Sequence, residues 1–116
     1  MLHVVGIKNC STVKKTMKWL EEQDVEFTFQ DVKKDPLTEE QILDLVKKLS
    51  IKTVLNKKGT KWRSLKLNDD ELSDQDLFEL LVEHQTMIKR PVLIHGEAVM
   101  VGFDPEGVEA FLDNQG

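Results

Sequence analysis

The sequence is poor in several residues that mark special environments, with one cysteine, three prolines and no tyrosine among 116 residues. A single cysteine cannot form an intrachain disulfide, so folding does not depend on oxidation. No apolar run approaches the ~18 residues of a membrane span. The N-terminal apolar run ends at Gly6, too early for a signal peptide. We therefore expect no membrane association and a cytoplasmic location, although a mature secreted chain would also lack its signal.

The chain also has no excess of positive charge. The formal net charge is -5, from 16 Lys and Arg against 21 Asp and Glu. Because an acidic chain has no global field that attracts nucleic acid, direct nucleic-acid binding is not expected. The histidines His3, His84 and His95 are scattered and lack ligand spacing with a second cysteine, so no metal site is predicted.

A βαβ unit opens the chain. The apolar, β-branched segment Leu2–Val5 predicts a buried strand, and Val25–Phe29 alternates with period two, which predicts a second strand. Between them, Ser11 or Thr12 is positioned to cap a helix. The apolar face of that helix carries Val13, Met17 and Leu20. Such a unit pairs its two strands in parallel.

A helical insertion is predicted over about residues 37–88. Thr38–Gln41 matches a capping box and opens one helix, and Ser73–Asp76 opens another. The polar, lysine-rich segment Asn56–Arg63 between them is interpreted as a loop.

The last third of the chain changes period. Pro91–Ile94 and Ala98–Val101, joined by a turn at His95–Glu97, predict a β-hairpin, and Asp104-Pro105 begins a closing helix. The whole is an α/β, thioredoxin-like (glutaredoxin-like) fold: a mixed four-stranded sheet flanked by helices. We expect one domain over residues 1–116.

The lone thiol, Cys10, is the candidate functional group. It follows the first strand at the start of the first helix, where the positive end of the helix dipole favours the thiolate, the nucleophilic form. The alternative is a buried small hydrophobe, which is the commoner fate of an isolated cysteine. The surroundings favour a reactive thiol because they are polar or cationic: Lys8, Asn9, Ser11, Thr12 and Lys14.

Two other segments are candidates for anion binding. In a thioredoxin-like fold, Arg90-Pro91 would lie opposite the thiol loop, often with a cis bond, and Arg90 would offer a bidentate donor. The alternative interpretation of Arg90 is a surface arginine beside an ordinary trans turn. The second segment contains Gly59, Trp62 and Arg63. The alternative interpretation of this segment is a solvated loop in which Trp62 covers the core.

Three segments together resemble the arsenate reductase (ArsC)/Spx superfamily, and most closely its YffB-like branch. They are Gly6–Lys15, Val54–Leu65 and Met87–Leu93, in the order and spacing of that family. The resemblance covers essentially the whole chain and implies a thioredoxin-like fold with a helical insertion, in agreement with the pattern of elements.

The resemblance also implies a chemistry. Glutaredoxin-coupled arsenate reductases use one N-terminal cysteine, matched by Cys10, which attacks arsenate; glutathione attacks the adduct, and glutaredoxin clears the mixed disulfide. Of three assisting arginines only Arg90 has a counterpart, because Asn56 stands at one position and the third falls near Gly102. Arg63 matches an arginine of the YffB-like branch. Each missing charged hydrogen bond is worth roughly 1.5–3 kcal/mol, so a small thiol, a disulfide or a glutathione adduct is favoured over arsenate.

The Spx branch implies a competing class, regulators that bind the C-terminal domain of the RNA polymerase α-subunit and sense oxidation through a Cys-x-x-Cys switch. Val13 stands where the second cysteine would be, so a resolving thiol must come from outside, which favours glutathione. An Spx-like regulator without the switch, and a redox-inactive peptide-binding protein, stay open as alternatives.

The favoured hypothesis is a glutathione-dependent thiol oxidoreductase with Cys10 as nucleophile and no bound cofactor. Its expected partners are glutathione, glutaredoxin and a small anionic or thiol/disulfide substrate. The residues expected to bind substrate or glutathione are Lys8, Asn9, Ser11, Thr12, Arg63, Arg90 and Pro91.

Overall fold

A computed structural model describes residues 2–66 and 71–113. Its helices and strands, in chain order, are β1 (Leu2–Gly6), α1 (Ser11–Glu22), β2 (Phe27–Asp31), α2 (Glu39–Leu49), α3 (Ile51–Val54), α4 (Thr60–Leu65), α5 (Asp74–Glu83), β3 (Val92–His95), β4 (Ala98–Val101) and α6 (Pro105–Asp113). A 3-10 turn, Gln85–Met87, follows α5. Within the described residues, no helix is long and apolar enough to cross a membrane.

The chain divides into two compact units. One contains the residues up to Val32 together with those from Arg90 onward, and the other is Lys33–Lys89. The helices predicted for the insertion fall in the second unit. The expectation of one domain over the whole chain stays a prediction.

The first unit contains the predicted mixed sheet, and the thioredoxin-like fold class is confirmed. Strand order is β2-β1-β3-β4. β1 and β2 are parallel, whereas β3 is antiparallel to both β1 and β4. In this register Val5 pairs with Val92 and Val4 with Leu93. The end at which β1 finishes is therefore the end at which β3 begins.

One face of this sheet carries the core of the first unit. Val4 and Leu93, opposite each other on β1 and β3, are fully buried. They cluster with Leu20 of α1 and Val108 of α6, so both helices pack on that face. Period-two alternation in the strands and helical spacing in α1 put these side chains on the same side.

The second strand begins two residues later than the predicted segment Val25–Phe29. Asp24 has a left-handed φ of 56° and the Val25 amide donates to the Leu20 carbonyl at 2.9 Å. These bonds are those of a helix C-terminal turn. Val25 therefore completes the end of α1, and the strand starts at Phe27.

In the second unit, α2 begins with the predicted capping box, and α5 begins at the predicted place with a second one. Thr38 and Gln41 bond reciprocally at the start of α2, and Ser73 and Asp76 do so at the start of α5. The side-chain amide of Gln85 pairs with both backbone groups of Leu37, at 2.7 and 2.8 Å. This pairing joins the start of the unit to its end.

The lysine-rich segment expected to be a loop contains a short helix, and that expectation is wrong for residues 60–63, which belong to α4. Gly59 is the N-cap residue of α4, and its carbonyl accepts from the Arg63 amide at 3.3 Å. Trp62 is 8% exposed. Burial of one large aromatic side chain stabilises a helix whose other residues carry no apolar periodicity.

The two leucines of α2 give a matched test of the core. Leu45 is 2% exposed, whereas Leu43 on the same helix is 40% exposed. We expect Leu45→Ala to lower the free energy of unfolding by about 2–5 kcal/mol, because a buried cavity is left behind. Leu43→Ala should change it by less than about 0.5 kcal/mol. Urea unfolding measures both, and equal losses would contradict the assigned burial.

Candidate functional site

The thiol lies at the junction of β1 and α1. After Gly6 the chain turns, and the Cys10 amide donates to the Ile7 carbonyl at 3.3 Å. Cys10 has an extended backbone (φ -88°, ψ 122°) and is the N-cap residue of α1, with no side-chain capping hydrogen bond. The residue as a whole is partly exposed. The alternative of a fully buried small hydrophobe is therefore wrong.

The predicted cap, Ser11 or Thr12, is wrong by one or two residues. The Lys14 amide donates to the Cys10 carbonyl at 3.0 Å, so the helix already begins at Ser11. This leaves the amides of the first helical residues without an intrahelical acceptor. They lie beside the thiol, and the positive end of the α1 dipole acts at the same place.

A close contact between strand and helix fixes the thiol loop. A Cβ built on Gly6 would lie 2.6 Å from Cγ2 of Val13, which is fully buried in α1. Only glycine permits this approach of β1 to the first turn of α1. Sequence reasoning missed Gly6 as a site residue, although its place directly after a buried strand was a signal.

Arg90 and Pro91 lie at the same end of the sheet as the thiol loop. Because Val5 pairs with Val92, Pro91 is adjacent to Gly6, at the end of β1. The Arg90-Pro91 peptide bond is cis, so the alternative of a trans turn is wrong. The Gly102 amide donates to the Pro91 carbonyl at 2.9 Å. The topology thus brings the predicted loop and dipeptide together at one edge, with Gly102 beside them.

The predicted binding residues of the thiol loop differ in exposure. Lys8, Asn9 and Ser11 are exposed, and Thr12 is half-buried. Lys8 and Lys14 place two exposed ammonium groups on either side of Cys10 along the chain. Cations and helix dipole act in the same sense here, favouring a bound anion at this end of α1.

The remaining predicted binding residue, Arg63, is on α4 in the second unit, with an exposed side chain. In the same unit the side-chain oxygen of Asn56 accepts from the Lys58 amide at 3.1 Å. Asn56 thus stabilises the turn before α4, as Asx residues do. Within residues 2–66 and 71–113, no group of three or more His, Cys, Asp or Glu side chains is arranged to hold a metal ion.

Comparison with known proteins gives matches over nearly the whole chain. The model of the ArsC family matches residues 5–111. A solved structure described as a YFFB protein is 35% identical, with a TM-score of 0.86, and the match covers 95% of this chain and 97% of that one. An arsenate reductase (ArsC) related protein from Brucella melitensis is 37% identical, with a TM-score of 0.78 over 96% of this chain and 93% of its own. The global transcriptional regulator Spx 2 of Bacillus anthracis is 23% identical over 90% of this chain and 81% of its own length. These matches confirm the resemblance found in the three sequence segments.

Proposed function

This chain belongs to the ArsC family, and we propose that it is a glutathione-dependent thiol oxidoreductase with Cys10 as its single nucleophile. The observation that carries the proposal is the placement of the partly exposed residue Cys10 as the N-cap of α1. The register brings the backbone of Arg90 and Pro91 to the same end of the sheet, and the proposal assigns the Arg90 guanidinium to substrate binding there. The reaction needs a reducing compartment, so we expect the protein in the cytoplasm.

The proposed substrate is a mixed disulfide between glutathione and another thiol. The Cys10 thiolate attacks the glutathionyl sulfur, the original S–S bond breaks, and the other thiol leaves as its thiolate. A new S–S bond then joins Cys10 to glutathione. The thiolate of a second glutathione attacks that glutathionyl sulfur, which releases Cys10 and forms oxidised glutathione. Glutaredoxin is the alternative reductant for this second step.

The predicted binding residues have separate roles in this proposal. Backbone amides at the start of α1, with Ser11 and Thr12, donate to anionic groups of the substrate or of glutathione. Lys8 and Asn9 line the approach to the sulfur. Arg90 binds a glutathione carboxylate, Arg63 is the second predicted anion-binding arginine, and Pro91 shapes the wall beside the thiol.

Arsenate is a poorer substrate than a disulfide in this proposal. Asn56 is engaged in the turn before α4, and Gly102 contributes only its backbone amide to Pro91. Neither supplies a guanidinium, and a multiply charged oxyanion requires more charge neutralisation than a neutral S–S bond does.

Oxidised glutathione tests the proposal directly. We expect mass spectrometry to find one glutathione adduct, on Cys10, that reduced glutathione removes. Iodoacetamide should alkylate Cys10 in the reduced protein and fail to alkylate it once the glutathione adduct has formed. A thiol that iodoacetamide does not modify and that forms no adduct would refute the proposed nucleophile.

Arg90 gives a second test, on binding. We expect Arg90→Ala to lower kcat/KM for a glutathionylated peptide by about tenfold or more, since a charged hydrogen bond to a carboxylate is lost. Arg90→Lys should recover little of it, because an ammonium lacks the planar fork. Unchanged kinetics in Arg90→Ala would remove this arginine from the site.

An Spx-like role is the second candidate, favoured by the similarity to the regulator from Bacillus anthracis. In that case the chain binds the C-terminal domain of the RNA polymerase α-subunit without a Cys-x-x-Cys switch. A binding assay with the purified domain separates the two candidates. Binding that Cys10→Ala leaves intact, together with an unreactive thiol, would favour the regulator.

A further inference from the structure

A shallow groove on the first unit has no part in the thiol chemistry described above. It has a volume of about 280 Å³ and is lined by Lys15, Lys18, Trp19, Glu22, Phe103 and Pro105. Trp19 and Phe103 form its floor, edge to face, with ring centroids 6.1 Å apart and an interplanar angle of 63°. Both rings are partly buried against the core, so the floor is held in place.

The groove starts near the thiol. Lys15 is five residues beyond Cys10 on α1 and Trp19 nine, which at ~1.5 Å per residue is about 7.5 to 13.5 Å along the helix axis. Its other wall, Phe103 to Pro105, follows Gly102, whose amide bonds to Pro91 at the sheet edge of the thiol loop. Both walls therefore lead away from the site of the proposed reaction.

The charge on the groove is graded along α1. Lys15, Lys18 and Glu22 lie on one helix face and are exposed. Among the described residues, neither lysine forms an ion pair. The end nearer the thiol is therefore cationic, continuous with Lys14, and the far end carries the carboxylate of Glu22.

Two further carboxylates flank the opposite wall. Glu106 lies in the first turn of α6. Asp104 points toward that same turn, since its Oδ2 would lie 3.2 Å from a Cβ on Gly107. Negative charge at a helix N-terminus is stabilised there, so Asp104 is directed to α6. The cationic end of the groove is left for a ligand.

We propose that this groove binds the protein part of the substrate: an extended segment that carries an acidic and an apolar side chain three or four residues from its modified cysteine. The inference rests on the proposed function, because it assigns the substrate class of the same thiol. An extended segment advances ~3.3 Å per residue, so four residues cover about 13 Å, close to the rise of α1 between Cys10 and Trp19, and three end between the levels of Lys15 and Lys18. The acidic side chain meets Lys15 and Lys18, and the apolar one covers Trp19 and Phe103. A small molecule fits poorly, because a shallow groove that is open to solvent would leave most of its surface exposed, whereas an extended chain can lie along it.

The test uses Cys10→Ser protein, so that binding is measured without chemistry. The probe is a nine-residue peptide with serine at the reacting position and Glu and Leu three and four residues beyond it; its twin has Lys in place of Glu. We expect the Glu peptide to shift the indole N–H signal of Trp19 and to leave that of buried Trp62 unchanged. The Lys twin should bind at least about fivefold more weakly.

Two double variants test whether the lysines of the groove are the positive charges that bind the peptide. Lys15→Glu with Lys18→Glu should weaken the Glu peptide about tenfold and favour the Lys twin. The control, Lys47→Glu with Lys52→Glu, makes the same change in net charge on exposed residues of the second unit. It should leave affinity within about twofold. Equal binding of both peptides, no shift at Trp19, or an equal effect of both double variants would each overturn the groove assignment.

The result of the peptide-binding test does not depend on whether the proposed reaction takes place. A chain whose thiol forms no glutathione adduct can still show peptide binding in the Cys10→Ser background, which supports the groove and refutes the oxidoreductase. Conversely, wild-type protein that reduces glutathionylated Glu and Lys peptides at equal rates keeps its reaction and refutes the groove.

Discussion

Cys10→Ser should lower the turnover of a glutathionylated peptide by about a thousandfold or more, and at the same time raise the stability of the protein. The activity falls because serine cannot accept the glutathionyl group by S–S exchange, and no second cysteine exists in the sequence. The stability rises because Cys10 is an N-cap residue whose side chain makes no capping bond. Serine is among the best N-cap residues, so we expect a gain of about 0.5–1 kcal/mol.

The experiment is informative because Cys10→Ser is expected to lower the activity and to raise the stability. Turnover is measured with glutathione as the only reductant, in a coupled assay of oxidised glutathione that contains no glutaredoxin, and stability is measured by urea unfolding. Cys10→Ala is the matched control: it removes the nucleophile equally but adds no capping oxygen, so it should lose activity without the gain in stability. Residual turnover above a few per cent in either variant would show that another group carries the reaction.

Gly6→Ala should destabilise the fold by about 1–3 kcal/mol and slow the reaction of Cys10 with glutathione disulfide. The added methyl would lie 2.6 Å from Cγ2 and 3.3 Å from Cγ1 of Val13. A β-branched side chain in a helix has one strongly preferred rotamer, so Val13 cannot rotate out of the way. β1 and α1 must then separate, which costs overpacking energy and displaces the thiol loop.

Val13→Ala supplies the matched background. Alone it removes a buried side chain's two methyl groups and should cost about 1–3 kcal/mol. In that background the methyl of Gly6→Ala meets only the Cβ of residue 13 at 3.6 Å, an ordinary contact. Alanine also reduces the entropy of the unfolded chain, so the substitution should be neutral or stabilising by up to about 1 kcal/mol. Urea unfolding of the four proteins gives the coupling energy. Additive losses would show that the contact does not control the approach of strand and helix.

The sequence predicted those parts of the fold whose local signals agree with their tertiary environment. The capping boxes at Thr38 and Ser73, the hairpin after Pro91 and the helix after Asp104 all lie where their residues place them. Local bonding at the end of α1 moved the start of β2, because Val25 is used to satisfy the Leu20 carbonyl. The helix α4 had no detectable signal, since its main apolar contribution is one buried tryptophan.

The candidate site was predictable in its chemistry and only partly in its geometry. The thiol and its position before a helix follow from the order of residue types around Cys10. The closeness of Gly6 and Val13 does not, because it depends on the angle at which two elements meet. The aromatic pair of Trp19 and Phe103 joins residues 84 positions apart in sequence, and only the folded topology makes them neighbours.

Gly102 sets a barrier to acquiring an oxyanion specificity. Its φ is +85°, and a Cβ built there would meet no other atom within 4 Å. A side chain could therefore start beside Pro91, but for an L-residue a left-handed conformation costs about 1–2 kcal/mol. A descendant of this protein that gained an arginine at position 102 would carry that loss of stability until a second change at the end of β4 removed it, so a change of substrate along this route sets a gain of charge against a loss of stability.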